Sequence, residues 1–151
     1  MSQSQPTRVL IASDHAGVDT KSELSAYITS LGFDVVDLGP QSTESVDYPD
    51  FAHRLAQAVV AGEGAWGVLI CGSGIGMSIA ANKVVGARAA LVHEAYTARM
   101  AREHNDANIV VLGARVIGPE IMKACIDVFA RTPFEPGNDG RHARRVTKLE
   151  V

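Results

Sequence analysis

Short apolar runs alternate with helix-spaced apolar stripes along this chain. RVLIAS (8–13) is a compact apolar run with β-branched residues; Leu24, Tyr27, Ile28 and Leu31 then recur at helical spacing until Gly32 ends the pattern. FDVVDL (33–38) predicts a second strand and GPQSTESVDYPD (39–50) a polar loop. Pro49 sits where a first helical turn tolerates it, ahead of Phe51, Leu55, Ala58 and Val59 on one face. The alternation continues through strand WGVLIC (66–71), a helix over 75–83, strand ARAALV (87–92), a helix over 95–104 and strand NIVVLG (108–113). A helix over 118–131 follows, with Ile121, Met122, Cys125, Ile126 and Phe129 expected to be buried. PFEPGNDGR (133–141) is a turn-rich linker into a last amphipathic helix, placed to reach a neighbouring subunit.

Five nearly all-apolar strands, each followed by a helical segment, predict an α/β fold with a parallel sheet covered on both faces. Ligands in such folds sit beyond the carboxyl ends of the strands, where the strand order reverses. The residues to inspect are therefore Asp14 and His15 after the first strand, Cys71 to Gly76 after the third, His93 and Glu94 after the fourth, and Gly113 to Arg115 after the fifth.

Composition narrows the function class. At 151 residues and 46% hydrophobic the chain reads as one domain, 1–151, with a flexible tail at 1–7 and an arm and helix at 133–151. A formal charge of −3 gives no electrostatic reason to expect nucleic acid or a membrane as partner. Residues 131–151 nevertheless carry a net +2, leaving −5 for the rest, and a basic tail on an acidic body suits a small anion. The polar start MSQSQPT lacks an apolar signal core, and no apolar run is long enough to span a bilayer. Only Cys71 and Cys125 are present, so a disulfide framework is not expected and a reducing cytoplasm is the default location.

The segment CGSGIGMSIAANK (71–83) carries the chemistry. Its glycines miss the dinucleotide fingerprint in their last interval and follow the third strand, and Gly76 is followed by Met77 where a P-loop needs lysine. Glu94, at the end of the next strand, is the one feature a dinucleotide reading retains. What remains is a sharp strand-to-helix turn with backbone amides at the positive end of a helix dipole, which suits an anion. Donors aimed at a developing oxyanion are worth about 3 kcal/mol each. A thiol beside a helix N-terminus ionises more readily, so Cys71 can act as a base; a lone cysteine is nevertheless more often a small buried residue closing a strand. Cys125 lies on a buried helical stripe and reads as core. His104 and Asn105 suit either a helix C-cap or sugar hydroxyls, and His53 falls off the apolar face of its helix. Asp14, His15, His93, Glu94 and His104 supply metal-ligand types without a diagnostic spacing, so no metal is expected.

Taken together and in order, SDHAG (13–17), DYP (47–49), CGSGIGMSIAANK (71–83), REHNDAN (102–108) and GRHARRV (140–146) resemble the type B ribose-5-phosphate isomerases, a family that includes the galactose-6-phosphate isomerase subunits. The resemblance runs from about residue 8 to 148. It implies a Rossmann-like three-layer α/β/α fold with a five-stranded parallel sheet and a C-terminal helix, and a homodimer, often paired into a tetramer. It also implies active sites at the subunit interface and no cofactor or metal. By the same resemblance Cys71 is the base that moves a proton between C1 and C2, and Ser73 the hydroxyl assisting exchange between O1 and O2. Gly72, Gly74, Ile75 and Gly76 form the anion hole. His104 is the ring-opening acid with Asp14 near the ring oxygen, and Asn105 and Tyr48 hold hydroxyls. His15, Arg115, Arg141 and Arg145 bind phosphate, the last two from the partner's tail, and His142 joins them. Some members carry glycine and glutamate where this chain has Cys71 and Met77, which places the chain with the cysteine type. The galactose enzymes split the cysteine and His-Asn motifs between two chains; both stand here in one, favouring a homomeric ribose enzyme. A six-carbon sugar phosphate isomerase and a non-catalytic sugar-phosphate sensor remain as alternatives, and His93 carries no assigned role.

Overall fold

A computed structural model describes residues 5–150; Met1 to Ser4 of the expected N-terminal tail, and Val151, lie outside the described residues. Five strands, β1 (Arg8–Ser13), β2 (Asp34–Asp37), β3 (Trp66–Cys71), β4 (Ala89–Leu91) and β5 (Ile109–Gly113), form one parallel sheet in the order β2-β1-β3-β5-β4. Six helices accompany them: α1 (Val18–Ser30), α2 (Tyr48–Val60), α3 (Ile75–Ala81), α4 (Ala95–Glu103), α5 (Pro119–Arg131) and α6 (Arg141–Thr147). A 3-10 turn over His15–Gly17, which the apolar pattern did not signal, separates β1 from α1.

Alternate residues of each strand face opposite layers, which is why the strands read as unbroken apolar runs. Val9, Ile11, Val68, Ile70, Val110 and Leu112 pack with Leu24 and Ile28 of α1, Ala98 of α4, and Met122, Cys125, Ile126 and Phe129 of α5. Leu10, Ala12, Leu69, Cys71 and Val111 pack on the other face, with Leu55 and Val59 of α2 and Met77 and Ala81 of α3. This is the expected three-layer α/β/α fold. The central strand β3 is buried along its whole length.

Two expectations shift. Ile121 is 46% exposed rather than buried, because Met122, Cys125, Ile126 and Phe129 already form the inward stripe and Ile121 stands about 100° away around α5. Tyr48, expected in the polar loop, opens α2 one residue before Pro49.

β1 connects outward to β2, and the chain then crosses to β3 on the other side of β1. The strand order therefore reverses between β1 and β3, and Asp14 and Cys71 leave the sheet side by side there, with the Asp14 N–H donating to the Ile70 carbonyl.

Candidate active site

Cys71 ends β3 with 5% of its surface exposed, at the floor of a cavity of about 590 Å3. Asp14, Tyr48, Gly72, Ser73, Ile75, Gly76 and Arg115 line the same cavity. Its shape follows from the backbone. Gly74, at φ +79°, turns the chain from β3 into α3, and a Cβ there would lie 2.5 Å from Leu91 Cδ1. Gly76 lets Tyr48 lie against the first turn of α3, since a Cβ would meet that ring at 2.6 Å. Two loop amides point at side chains of the loop rather than into the open cavity: Gly74 N–H donates to Cys71 Sγ at 3.1 Å and Ile75 N–H to Ser73 Oγ at 3.2 Å. Met77 is fully buried in the α2/α3 layer and presents no polar group to the cavity.

The neighbouring strand ends supply the remaining groups. The carbonyls of Cys71 and Gly72 accept from Ala114 and Arg115 N–H, which carries the exposed Arg115 side chain to Gly72. Asp14 is 8% exposed and its Oδ1 accepts from Ala16 and Gly17 N–H, capping the 3-10 turn. His15 Nδ1 accepts from Val46 N–H at 3.2 Å, tying it to the loop before α2. That loop is anchored by Lys21, which sequence reasoning passed over: 2% exposed, it contacts Asp37 Oδ1 at 2.8 Å and the Pro40 carbonyl, while the same Asp37 oxygen accepts from Gly39 N–H. The signal was present, because Lys21 falls on the inward stripe with Leu24 and Ile28.

His104, Asn105, Arg141, His142 and Arg145 lie elsewhere. α4 runs back from the carboxyl end of β4, so His104 follows it at the amino end of the sheet, five residues before β5 starts. The length of β5, roughly 13 Å for four rises of 3.3 Å, separates that end from the Cys71 end. The His104 backbone N–H donates to the Met100 carbonyl at the end of α4, and the His104 ring lies 4.2 Å from that of His142, centroid to centroid. Arg141 and Arg145 are exposed on α6. Asn105 faces a second cavity of about 570 Å3 along the outer edge of β4, lined also by Arg88, Thr97 and Leu149. Between them, Asp106 turns the chain at φ +46°, its carboxylate held by Arg88 at 3.2 Å and Arg102 at 3.0 Å. Arg88 in turn pairs with Glu150 at 2.7 Å. One chain therefore carries two separate clusters, with Cys71 in one and His104 in the other.

His93 and Glu94 do not join either cluster: Glu94 caps α4 through Tyr96 and Thr97 N–H. Cys125 is fully buried under α5. Among the described residues no three His, Cys, Asp or Glu side chains gather as a metal site, and no helix is long and apolar enough to cross a membrane.

Known proteins share both the pattern and the fold. The Ribose/Galactose Isomerase family model matches residues 9–149. The putative sugar phosphate isomerase YwlF of Bacillus subtilis (strain 168) is 46% identical over 143 residues, 94% of each chain. Ribose-5-phosphate isomerase B of Escherichia coli (strain K12) is 39% identical over 143 residues, 95% of this chain and 96% of that one. The solved structure of Clostridium thermocellum ribose-5-phosphate isomerase B matches with a TM-score of 0.91 at 47% identity, covering 95% of both chains. With its apolar pattern, its sheet order and its glycine turn all accounted for within that match, the chain belongs to the ribose/galactose isomerase family, the family of the type B ribose-5-phosphate isomerases.

Proposed function

We propose that this sugar phosphate isomerase interconverts D-ribose 5-phosphate and D-ribulose 5-phosphate through a cis-enediolate. The observation that carries the reading is the Gly74 N–H held on Cys71 Sγ at the floor of a cavity ringed by hydroxyl, carboxylate and guanidinium groups. Cys71, as thiolate, takes the proton from C2 of the open-chain aldose. The C–H electron pair becomes the C1–C2 double bond of the enediolate, and the carbonyl pair moves onto O1. Returning the proton to C1 gives the ketose, while Ser73 Oγ relays a proton between O2 and O1. Atoms and electrons balance within the sugar, and no external oxidant or reductant enters. Asp14 stands near the ring oxygen and Tyr48 holds a hydroxyl. His15 and Arg115 take the phosphate with Arg141 and Arg145, whose planar forks suit two-point contact. Contacts to the phosphate, remote from C1 and C2, are converted into orientation of the reacting carbons.

The separation of the two clusters supports a homodimer in which each site takes Cys71, Ser73 and Asp14 from one chain and His104, Asn105, Arg141 and Arg145 from its partner. The resemblance assigns only the two arginines to the partner; the position of His104 beside α6 supports grouping it with them. Tyr48, Ile75, Ile79 and Val116 are 41–57% exposed around the mouth of the Cys71 cavity, an apolar rim of the kind a second chain covers.

Cys71→Ser tests the chemistry. A positioned general base is worth about 10²–10⁴ in rate, so kcat for ribose 5-phosphate is expected to fall by about that factor while sugar-phosphate binding persists. Unchanged turnover removes Cys71 as the base, and a wild-type chain that binds ribose 5-phosphate without turning it over is a sensor. A panel of five- and six-carbon sugar phosphates fixes the preferred substrate: highest kcat/KM on a six-carbon member overturns the ribose assignment.

A further inference from the structure

His142 is 7% exposed, one residue from the exposed Arg141. Its Nδ1 lies 2.9 Å from the Glu135 carbonyl and its Nε2 3.3 Å from Arg141 Nε. The chemistry of those partners assigns the ring. A guanidinium Nε–H only donates, so His142 Nε2 accepts and carries no proton; a carbonyl only accepts, so Nδ1 carries the proton and donates. Both nitrogens are thereby used inside the chain, leaving none for a ligand.

The ring is also a wedge between two elements. Its centroid lies 4.2 Å from that of the His104 ring, the two planes tilted by 40°. Glu135 N–H donates to the Glu103 carbonyl, and His142 and Ala143 N–H both reach the Pro136 carbonyl, so the segment that grips His142 is itself fastened to the end of α4. The bond to His142 uses only Arg141 Nε, so the two terminal nitrogens of this exposed side chain are not spent on the histidine. We propose that His142 is not a phosphate ligand but the positioning residue of this cluster: fixed between the Glu135 carbonyl and Arg141, it aims the Arg141 guanidinium and sets its distance from His104. The inference rests on the reading that Arg141 holds the sugar phosphate.

A double-mutant cycle on the full-length protein, with inorganic phosphate as the titrant, separates a positioning group from a ligand. His142→Asn is expected to raise the Kd for phosphate and the KM for ribose 5-phosphate about tenfold, the size of one lost hydrogen bond to a charged group. In an Arg141→Ala background the same change is expected to cost nothing further. His142→Gln, whose amide oxygen can accept from Arg141, should recover part of the loss. An equal loss in both backgrounds makes His142 a direct ligand and overturns the proposal, as does wild-type affinity in folded His142→Asn. Nitrogen-15 spectra of the wild-type ring need no variant: a proton on Nδ1 with bare Nε2 is expected, and a proton on Nε2 overturns the proposal. Wild-type protein that neither binds phosphate nor isomerises the sugar removes the underlying reading instead, an outcome distinct from wild-type binding with unaffected variants.

Discussion

Two cysteines in one chain show how setting decides chemistry. Cys71 sits at a strand end with a backbone N–H on its sulfur and a cavity in front of it. Cys125 is fully buried in the α5 layer, and burial, with Glu94 as a lesser contributor, pushes its thiol up to about 11. At pH 8 iodoacetamide should therefore modify one cysteine per native chain, Cys71, with Cys125 reacting only after denaturation. Peptide mapping that finds Cys125 labelled first would remove this distinction. Helical spacing was enough to put Cys125 in the core from sequence, but Cys71 stayed open there between a base and a small residue closing a strand; the N–H on its sulfur and the cavity before it are what set the two apart. The same logic failed for Lys21, because a charged residue on an inward stripe reads as an interruption until its partners are known. Asp37 and the Pro40 carbonyl lie 16 and 19 residues away, and no local pattern pairs them.

At the scale of elements, caps and turns fix what the strands only approximate. α4 starts at Glu94, whose side chain accepts from Tyr96 N–H at 2.6 Å and Thr97 N–H at 2.7 Å. Hydrogen bonding from Thr97, aided by Tyr96, holds the Glu94 carboxyl below its ordinary 4.5. A carboxyl lowered in the folded state stabilises fully above its unfolded value, and the contribution disappears as pH falls through the folded one. The melting-temperature gap between wild type and Glu94→Gln should thus be largest near pH 6–7 and close below about pH 4; a gap constant from pH 7 to pH 3 would contradict it. Strand and helix identities were all legible, with ends shifted by a residue or two. The sequence reading carried the helix after β3 through Lys83, whereas α3 ends at Ala81, and β4 shrank from six expected residues to three, its entrance closed by the side-chain oxygens of Asn82 and Asn108, which accept from Ala89 and Arg88 N–H. Asp106 at φ +46° was not foreseeable either: its conformation depends on two arginines 18 and 4 residues before it.

At the scale of the whole molecule, motif order alone gathered Cys71 and His104 into one site, whereas the path of α4 puts them at opposite ends of the sheet. Periodicity predicts that α4 exists but not how its end stands relative to the cavity, so the separation of His104 from Cys71 within one chain was legible only in three dimensions. If two chains complete each site, Cys71→Ala and His104→Ala proteins, each nearly inactive, should regain activity when mixed and allowed to exchange subunits. A hybrid dimer then holds one intact site of two, and a statistical mixture, half of it hybrid, approaches a quarter of wild-type activity. No recovery after subunit exchange verified by mass would place both residues in a single-chain site instead. The position of the sulfur has one more consequence. β3 is hydrogen-bonded on both flanks and buried throughout, whereas the histidine turn hangs beside a three-residue strand at the sheet's rim. Openings short of full denaturation start at such margins, so warming should silence the enzyme by fraying its periphery while the reactive thiol still rests on intact, slowly exchanging backbone.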